Sequence, residues 1–592
     1  MKERSEIEEK FKWDLSKFCK DDEDFKKRLQ TLSKKIPEIK KYEGKLSDDK
    51  MLFECLEMQM KLLKEFSLIQ VYSHLRLSEN NADRSALEMS EMINFEGQKF
   101  SVATAFIHIE MNKFSTQHLE ELKKQKVFKN YVRLFDEIER VKKHTLSKSE
   151  EMLLTKIDEC LGGNSDVFDR FADVDLKFDK IEDSKGKKHE FSYSKYLVYA
   201  ESKDRVLREN AFKEMNGKYG DFINFISANY INNVREDCVY AKIKKYKSAL
   251  SASIFNEEAS EDVYNLLVKK VRENVGLLHR YFEIKRKMLK LDKFAVYDTM
   301  APVADELNKT FTYDEAIETI KQAVAVLGEE YVSLIDRAKE ERWIDVYPNK
   351  NKDSGAFSCG TFGATPVVLT NFEGTLESVF TLAHELGHAM HTYLSNKNQP
   401  IQTSDYVIFV AEVASTVNEM LLLNYLLGKA ETIKEKIYYY DYFLRMMRST
   451  IFRQTMFAEF EQFAHEEYEK EIPLTCGLLC DKYEELNSFY HGKKVKQIKE
   501  MKYEWARIPH FYSSFYVYKY ATGLSCAIKI SNNLLHDKNF VGKYLKFLSS
   551  GCSQDPVTLL KNADCDLTSE QMFDEVFGIC ESYIKNWENA LL

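Results

Sequence analysis

Apolar residues recur at three- and four-residue steps through most of the chain, with charged residues between them; this is the period of amphipathic helices. Residues 1 to about 160 carry it in stretches such as Leu62-Leu-Lys-Glu-Phe-Ser-Leu-Ile and Tyr131-Val-Arg-Leu-Phe-Asp-Glu-Ile. Only 8 Pro and 21 Gly fall among 592 residues, so long helices can run uninterrupted and a predominantly all-α protein is expected. The pattern breaks at Gly162-Gly163-Asn164. Beyond it, Val174-Asp-Leu-Lys-Phe-Asp and His189-Glu-Phe-Ser-Tyr alternate on either side of Asp183-Ser-Lys-Gly186, which predicts a small hairpin within residues 174–193. Helical periodicity resumes near Ser194. The chain thus divides into an N-terminal helical lobe, residues 1–204, and a larger helical domain, residues 205–592.

A second stretch with strand character, Gly355-Ala-Phe-Ser-Cys-Gly-Thr-Phe-Gly-Ala-Thr-Pro-Val-Val-Leu-Thr-Asn, is rich in Gly, aromatic and β-branched residues. Its glycines allow close backbone approach, so an edge strand here would hold an extended peptide through main-chain hydrogen bonds, with Gly355, Ser358, Gly360 and Gly363 at the contact. A buried structural hairpin has the same composition. Directly after it, Leu376, Val379, Phe380, Ala383, Gly387, Met390 and Leu394 form a helical apolar stripe, with Thr375 as N-cap and Glu377 in the first turn. Next, Val410, Val413, Val417 and Met420 mark another helix, with Ser404 as its cap and Gly428 closing it.

The first of these helices carries His384-Glu385-Leu-Gly-His388. Two histidines one turn apart share a face, so both imidazoles can converge on one cation. Glu385 stands beside them, placed to take a proton from a zinc-bound water without being a ligand. A tetrahedral catalytic zinc needs a third protein ligand. Glu412 and Glu419, seven residues apart on one face of the second helix, are the candidates. Carboxylates among so many apolar neighbours are costly unless a charge or metal compensates them, although a wet helix face would also accommodate them. A glycine three residues after His388 followed by a third histidine is absent, since His391 and Leu394 stand there; that excludes the metzincin pattern.

A third cluster, Pro509-His510-Phe-Tyr512-Ser-Ser-Phe-Tyr516-Val-Tyr518-Lys-Tyr520, offers imidazole N–H and phenolic donors for a developing oxyanion. Aromatic packing is the other reading.

HELGHAMH, VAEVASTVNE, FRQTMFAEFE at 452–461 and HFYSSFYVYKYATG at 510–523 resemble the oligoendopeptidase F branch of the thimet oligopeptidase zinc peptidases. Weaker similarity in FKWDLSKF at 11–18, SALSASIF at 248–255 and SGAFSCGTFG at 354–363 extends the resemblance along essentially the whole chain. It implies a two-lobed helical zinc peptidase enclosing a deep substrate channel, with small β elements near the active site. It further implies one zinc ion held by His384, His388 and Glu412, Glu385 as general base, and Glu419 behind the ligands, orienting a histidine. From its own place near the histidine face, His391 is expected either behind the ligands or lining the pocket, and not as a ligand. His510 and Tyr518 are implied to assist at the scissile carbonyl, with Tyr512 as the alternative tyrosine. The expected activity is endopeptidase cleavage of short unstructured peptides, by a zinc-bound water that Glu385 activates. A helical zinc carboxypeptidase and a non-catalytic peptide-binding scaffold are the alternatives.

The remaining composition narrows partners and setting. A net charge of −9 with no dominant basic face argues against nucleic acid. No apolar run reaches membrane-spanning length. Eleven scattered cysteines and a charged N-terminus suggest reduced thiols in the cytoplasm. No oligomeric state follows from the sequence.

Overall fold

The computed structural model describes residues 2–158, 161–304, 307 and 309–591. Helices dominate, and the strands among the described residues are seven of two or three residues each. The described cysteines are all free, and no described helix is long and apolar enough to cross a membrane. The chain forms two compact units, each assembled from three separated stretches. The first comprises Met1–Lys143, Asn308–Leu426 and Ile530–Cys565; the second comprises His144–Leu307, Leu427–Lys529 and Asp566–Leu592. The expected division at 204 and 205 runs along the chain and falls inside the second unit, just before the helix Arg205–Asp221.

In the first unit, two long helices, Asp49–Glu79 and Arg84–Met111, are started by aspartates. Asp48 accepts from the Met51 N–H at 2.9 Å, and Asp83 from the Ser85 N–H at 2.8 Å. These bonds satisfy N–H groups that a first helical turn leaves without partners. Their apolar faces build a core of Leu52, Leu56, Ile69, Leu75, Met89 and Ile107, which continues into Val367 and Leu369 of a small sheet. In that sheet Ile344–Asp345 pairs parallel with Val367–Leu369, which pairs antiparallel with Phe357–Cys359. The middle strand is fully buried. Phe357–Cys359 is an edge strand, half-buried along its length.

The sheet leads into the helix Leu376–Asn398, which begins where the pattern predicts: Thr375 Oγ1 accepts from the Ser378 N–H at 3.1 Å. Every residue of the predicted stripe is buried. The next long helix, Ile408–Lys429, starts four residues beyond the expected cap, because Ser404 is held elsewhere. Its carbonyl accepts from the Ser395 hydroxyl.

These two helices cross at Gly387. A Cβ there would lie 2.6 Å from Ser415 Cα and 2.7 Å from the Ala414 carbonyl oxygen, closer than any side chain tolerates. The crossing is pinned by Asn418, fully buried, whose amide donates to the Ala383 carbonyl at 3.1 Å and accepts from the Tyr331 hydroxyl at 3.0 Å. A buried amide satisfied on both sides fixes the helices more firmly than apolar contact alone.

The second unit contains the predicted hairpin, with Ile181 opposite His189 and Glu182 opposite Lys188. Its interior is aromatic: Tyr230, Phe460, Trp505 and Phe511 meet with ring centroids 5.1–6.0 Å apart. A π-helical segment, Met447–Phe452, interrupts the path from the helix Ile433–Met446 to the helix Arg453–Glu469.

Gly387→Ala should lower the stability of the first unit by about 2–3 kcal/mol, the cost of overpacking against backbone that cannot yield. Gly428→Ala, which meets nothing within 4 Å, is the control. Thermal unfolding of both variants checks this, and equal midpoints would remove the argument.

Candidate metal centre

His384 and His388 lie one turn apart on the helix Leu376–Asn398, and the crossing at Gly387 brings Glu412 of the following helix to them. The Nε2 atoms of the two histidines stand 3.2 Å apart. Glu412 Oε2 lies 3.4 Å from His384 Nε2 and 3.6 Å from His388 Nε2. Tetrahedral zinc with bonds of about 2.0–2.2 Å sets its ligands roughly 3.3–3.6 Å apart, so this triangle fits one such ion. Among the described residues it is the only group of three or more His, Cys, Asp or Glu able to converge in this way. Cys476 and Cys480 gather no further ligand.

The electrostatics favour a cation. Burial works against protonation of His384, yet Glu412 and Glu419 outweigh it and raise its pKa to about 10. Burial would likewise raise Glu412, but hydrogen bonding and charge from both histidines hold it well below the usual carboxylate range. Glu419, one turn beyond Ser415, accepts from His384 Nδ1 at 2.6 Å. That bond commits Nδ1 to carrying the proton and turns the lone pair of Nε2 toward the triangle.

Glu385 is 7% exposed, and its Oε2 has no hydrogen-bond partner. Burial raises its pKa; the two histidines oppose this and the neighbouring carboxylates add to it. A buried carboxylate oxygen with nothing to bond is expensive, and here it belongs to the residue that directly follows His384 on the helix carrying both histidines. His391, also expected here, is fully buried. Its ring stacks on Tyr406 at 3.8 Å, and burial together with His388 pushes its pKa down to about 3. It packs as a neutral ring against Tyr406 and Phe547.

The edge strand borders the same helix. A Cβ on Gly360 would lie 2.9 Å from Thr392 Cγ2, one turn beyond His388, and Asn396 donates to the Thr361 carbonyl at 3.2 Å. Gly355 and Gly363 have φ of +81° and +99°, which favours glycine at both. A side chain on Gly363 would also press on Lys64. Ser358 Oγ is buried without a partner.

The tyrosine–histidine segment belongs to the second unit. His510 is half-buried, and burial lowers its pKa. Tyr518 is fully buried, and its hydroxyl donates to Glu257 at 2.8 Å. Tyr512 packs against Phe168 and Tyr230, its hydroxyl buried without a partner. The hydroxyl beside His510 is that of Tyr520, 3.4 Å from Nε2. Tyr520 was not singled out from the sequence; the alternation of tyrosines contained it, but which of them faces His510 depends on the turn at Ser513–Val517. Asn418 was missed as well, although its place between Glu412 and Glu419, on the turn that faces the histidine helix, was legible.

A helical chain whose HExxH helix is crossed by a glutamate-bearing helix defines a helical metallopeptidase. The sequence model for Peptidase family M3 matches residues 198–579 and that for Oligopeptidase F residues 110–178; the chain belongs to peptidase family M3, a family of zinc metallopeptidases. It is 36% identical to Oligopeptidase PepF of Bacillus subtilis over 594 residues, which covers 100% of this chain and 88% of that one. A crystal structure from Chlamydophila abortus superposes with a TM-score of 0.95 at 31% identity, covering 100% of both chains. Oligoendopeptidase-F from Enterococcus faecium superposes at 0.74 and 29% identity, covering 96% of this chain and 99% of that one. The chain is thus a metallo-oligopeptidase, and peptides are its substrates.

Glu419→Gln should weaken zinc binding about 10- to 100-fold, the usual cost of losing a carboxylate behind a histidine ligand. Competition with a chromophoric chelator measures it, and unchanged affinity would deny Glu419 its orienting role.

Proposed function

We propose that the chain is a zinc-dependent endopeptidase that cleaves internal bonds of short, unstructured peptides, with His384, His388 and Glu412 holding one zinc ion. The observation that carries this reading is the three-donor triangle with the unpartnered, buried Glu385 oxygen beside it. Bound there, zinc supplies a Lewis acid for the scissile carbonyl and lowers the pKa of a water toward neutrality. Glu385 takes the proton of the attacking water and passes it to the leaving amine. Burial raises its pKa, which strengthens it as a base for the water proton and leaves it able to return that proton. Glu419 keeps His384 in the tautomer that a metal requires.

The edge strand Phe357–Cys359, ending at Gly360 beside Thr392, is proposed to hold substrate backbone as an added strand, with Gly355, Ser358, Gly360 and Gly363 leaving room for it. The resemblance carries a further assignment: His510 and a tyrosine of its segment donate hydrogen bonds to the developing oxyanion. The 3.4 Å spacing favours Tyr520 as that tyrosine; Tyr518 would first have to release Glu257, and Tyr512 its aromatic packing. The division into residues 1–204 and a catalytic domain at 205–592 is retained as a proposal about how the sequence is organised along the chain.

The test is hydrolysis of an internally quenched peptide blocked at both ends. The native protein should cut it, chelation should abolish cutting and added zinc restore it. Glu385→Gln should retain zinc while kcat/KM falls about 10²- to 10⁴-fold, the range for a lost general base. Cleavage confined to peptides with a free terminus would move the assignment to an exopeptidase. Zinc-loaded protein that binds peptide and cuts none would make it a scaffold.

A further inference from the structure

The second unit contains a cavity of about 370 Å³ reached beside the helix Tyr193–Ala200, whose outer residues Tyr193 and Leu197 are exposed. Four arginines line it, Arg208, Arg448, Arg453 and Arg507, together with one carboxylate, Glu504. Two of the arginines share that carboxylate. Arg453 and Arg507 each donate to Glu504 Oε1 at 2.9 Å, while the Tyr483 hydroxyl takes Oε2 at 2.8 Å. Arg208 is committed to Asp298 at 2.8 Å, and Asp298 also takes Arg205. The Arg448 guanidinium makes no hydrogen bond or ion pair among the described residues, and its Nε is buried without a partner. The Nε of Arg507 and the Oε1 of Gln454, both on the cavity wall, are unpartnered as well.

Nothing behind the wall corrects the imbalance. Lys285 is fully buried with its ammonium on the Thr299 carbonyl at 2.8 Å, and Arg445 pairs with Asp441 at 3.2 Å. Six arginines, Arg205 among them, and Lys285 thus face Asp298, Asp441 and Glu504, and Glu201, exposed nearby, adds only one more carboxylate. His491 supplies no positive charge, because burial pushes its pKa down to about 4. Burial also lowers the pKa of Arg448 and brings that of Lys285 to about 7, the response of cations short of counter-charge. An unpaired guanidinium in such surroundings is destabilising, and guanidinium forks match oxyanions in geometry as well as charge.

We propose that this cavity is a binding site for a small oxyanion, a carboxylate or a phosphate, seated on Arg448 and Arg507 with Arg453 adjoining. The anion completes the pairing that Glu504 alone cannot supply. It would also join three segments of the second unit: the π-helical stretch that bears Arg448, the turn Lys499–Arg507 and the helix Tyr193–Ala200 at the mouth. The site needs no metal and stands apart from the peptidase reading.

Calorimetric titration of the full-length, zinc-loaded protein with inorganic phosphate, and separately with acetate, tests this. Saturable binding of one anion per chain is expected for at least one of them, and whichever binds more tightly identifies the oxyanion class. Arg448→Met should weaken it at least tenfold and Arg448→Lys, which keeps charge but loses the fork, by a smaller factor. His388→Ala, which removes a zinc ligand, should leave it unchanged. Absence of saturable binding of either anion by the folded native protein up to roughly 50 mM, a far weaker affinity than paired guanidinium forks give, would overturn the proposal whatever the variants do. Binding lost in His388→Ala but kept in Arg448→Met or Arg448→Lys would overturn it too, by assigning the anion to the metal centre.

Discussion

The contact on which the metal centre depends is the approach of two backbones at Gly387. Without a Cβ on that residue, Ser415 Cα and the Ala414 carbonyl come within the space a methyl group would fill. Glu412 lies just under one turn before Ser415 and Glu419 just over one turn after it, so one crossing delivers both carboxylates to the same pair of histidines, one to Nε2 and one to Nδ1. A glycine costs a helix interior up to about 1 kcal/mol relative to alanine. Here the loss purchases helix proximity, and Asn418 makes the approach specific by bridging Ala383 and Tyr331. A slide of one residue along either helix would break that amide's bonds and turn both glutamates away.

What was legible in the sequence follows from how local each determinant is. The helix Leu376–Asn398, its Thr375 cap and its buried stripe are all encoded within a few residues of where they act, and they appear as predicted. The hairpin at Ile181 and His189 was legible for the same reason. The histidine pair needs only helical spacing, whereas the choice between Glu412 and Glu419 required knowing which turn faces His384 Nε2. Nothing short of the packed crossing supplies that. The compact units were not legible, because each gathers three distant stretches and no local pattern records which helices return to one another. In the tyrosine segment alternation was visible, but the turn after Tyr512 decides that Tyr520 faces His510 while Tyr518 points to Glu257.

Both units carry a charge imbalance in their interiors, and of opposite sign. In the first, Glu385, Glu412 and Glu419 gather about two histidines; in the second, arginines and a lysine outnumber their carboxylates. Removing a charge from water costs several kcal/mol unless a partner is supplied, and a helical protein with 31% charged residues has ample solvent-facing positions for them. Charges left inside without partners are therefore informative in a way that paired ones are not. Arg4, Arg76 and Lys352 with Asp22, Glu79 and Asp345 are such a balanced group, linked at 2.6–3.0 Å, and it needs nothing further to account for it.

The same reasoning then applies twice. In the first unit the excess is anionic, the candidate donors are two imidazoles and a carboxylate at tetrahedral spacing, and the partner that we propose is a divalent cation. In the second the excess is cationic, the donors are planar forks around a cavity, and the missing partner is an oxyanion. Geometry separates the two cases as firmly as sign does. Three donor atoms within 3.6 Å of one another leave room for a bare ion, whereas guanidinium groups around 370 Å³ enclose a space that a polyatomic anion can enter with part of its molecule attached.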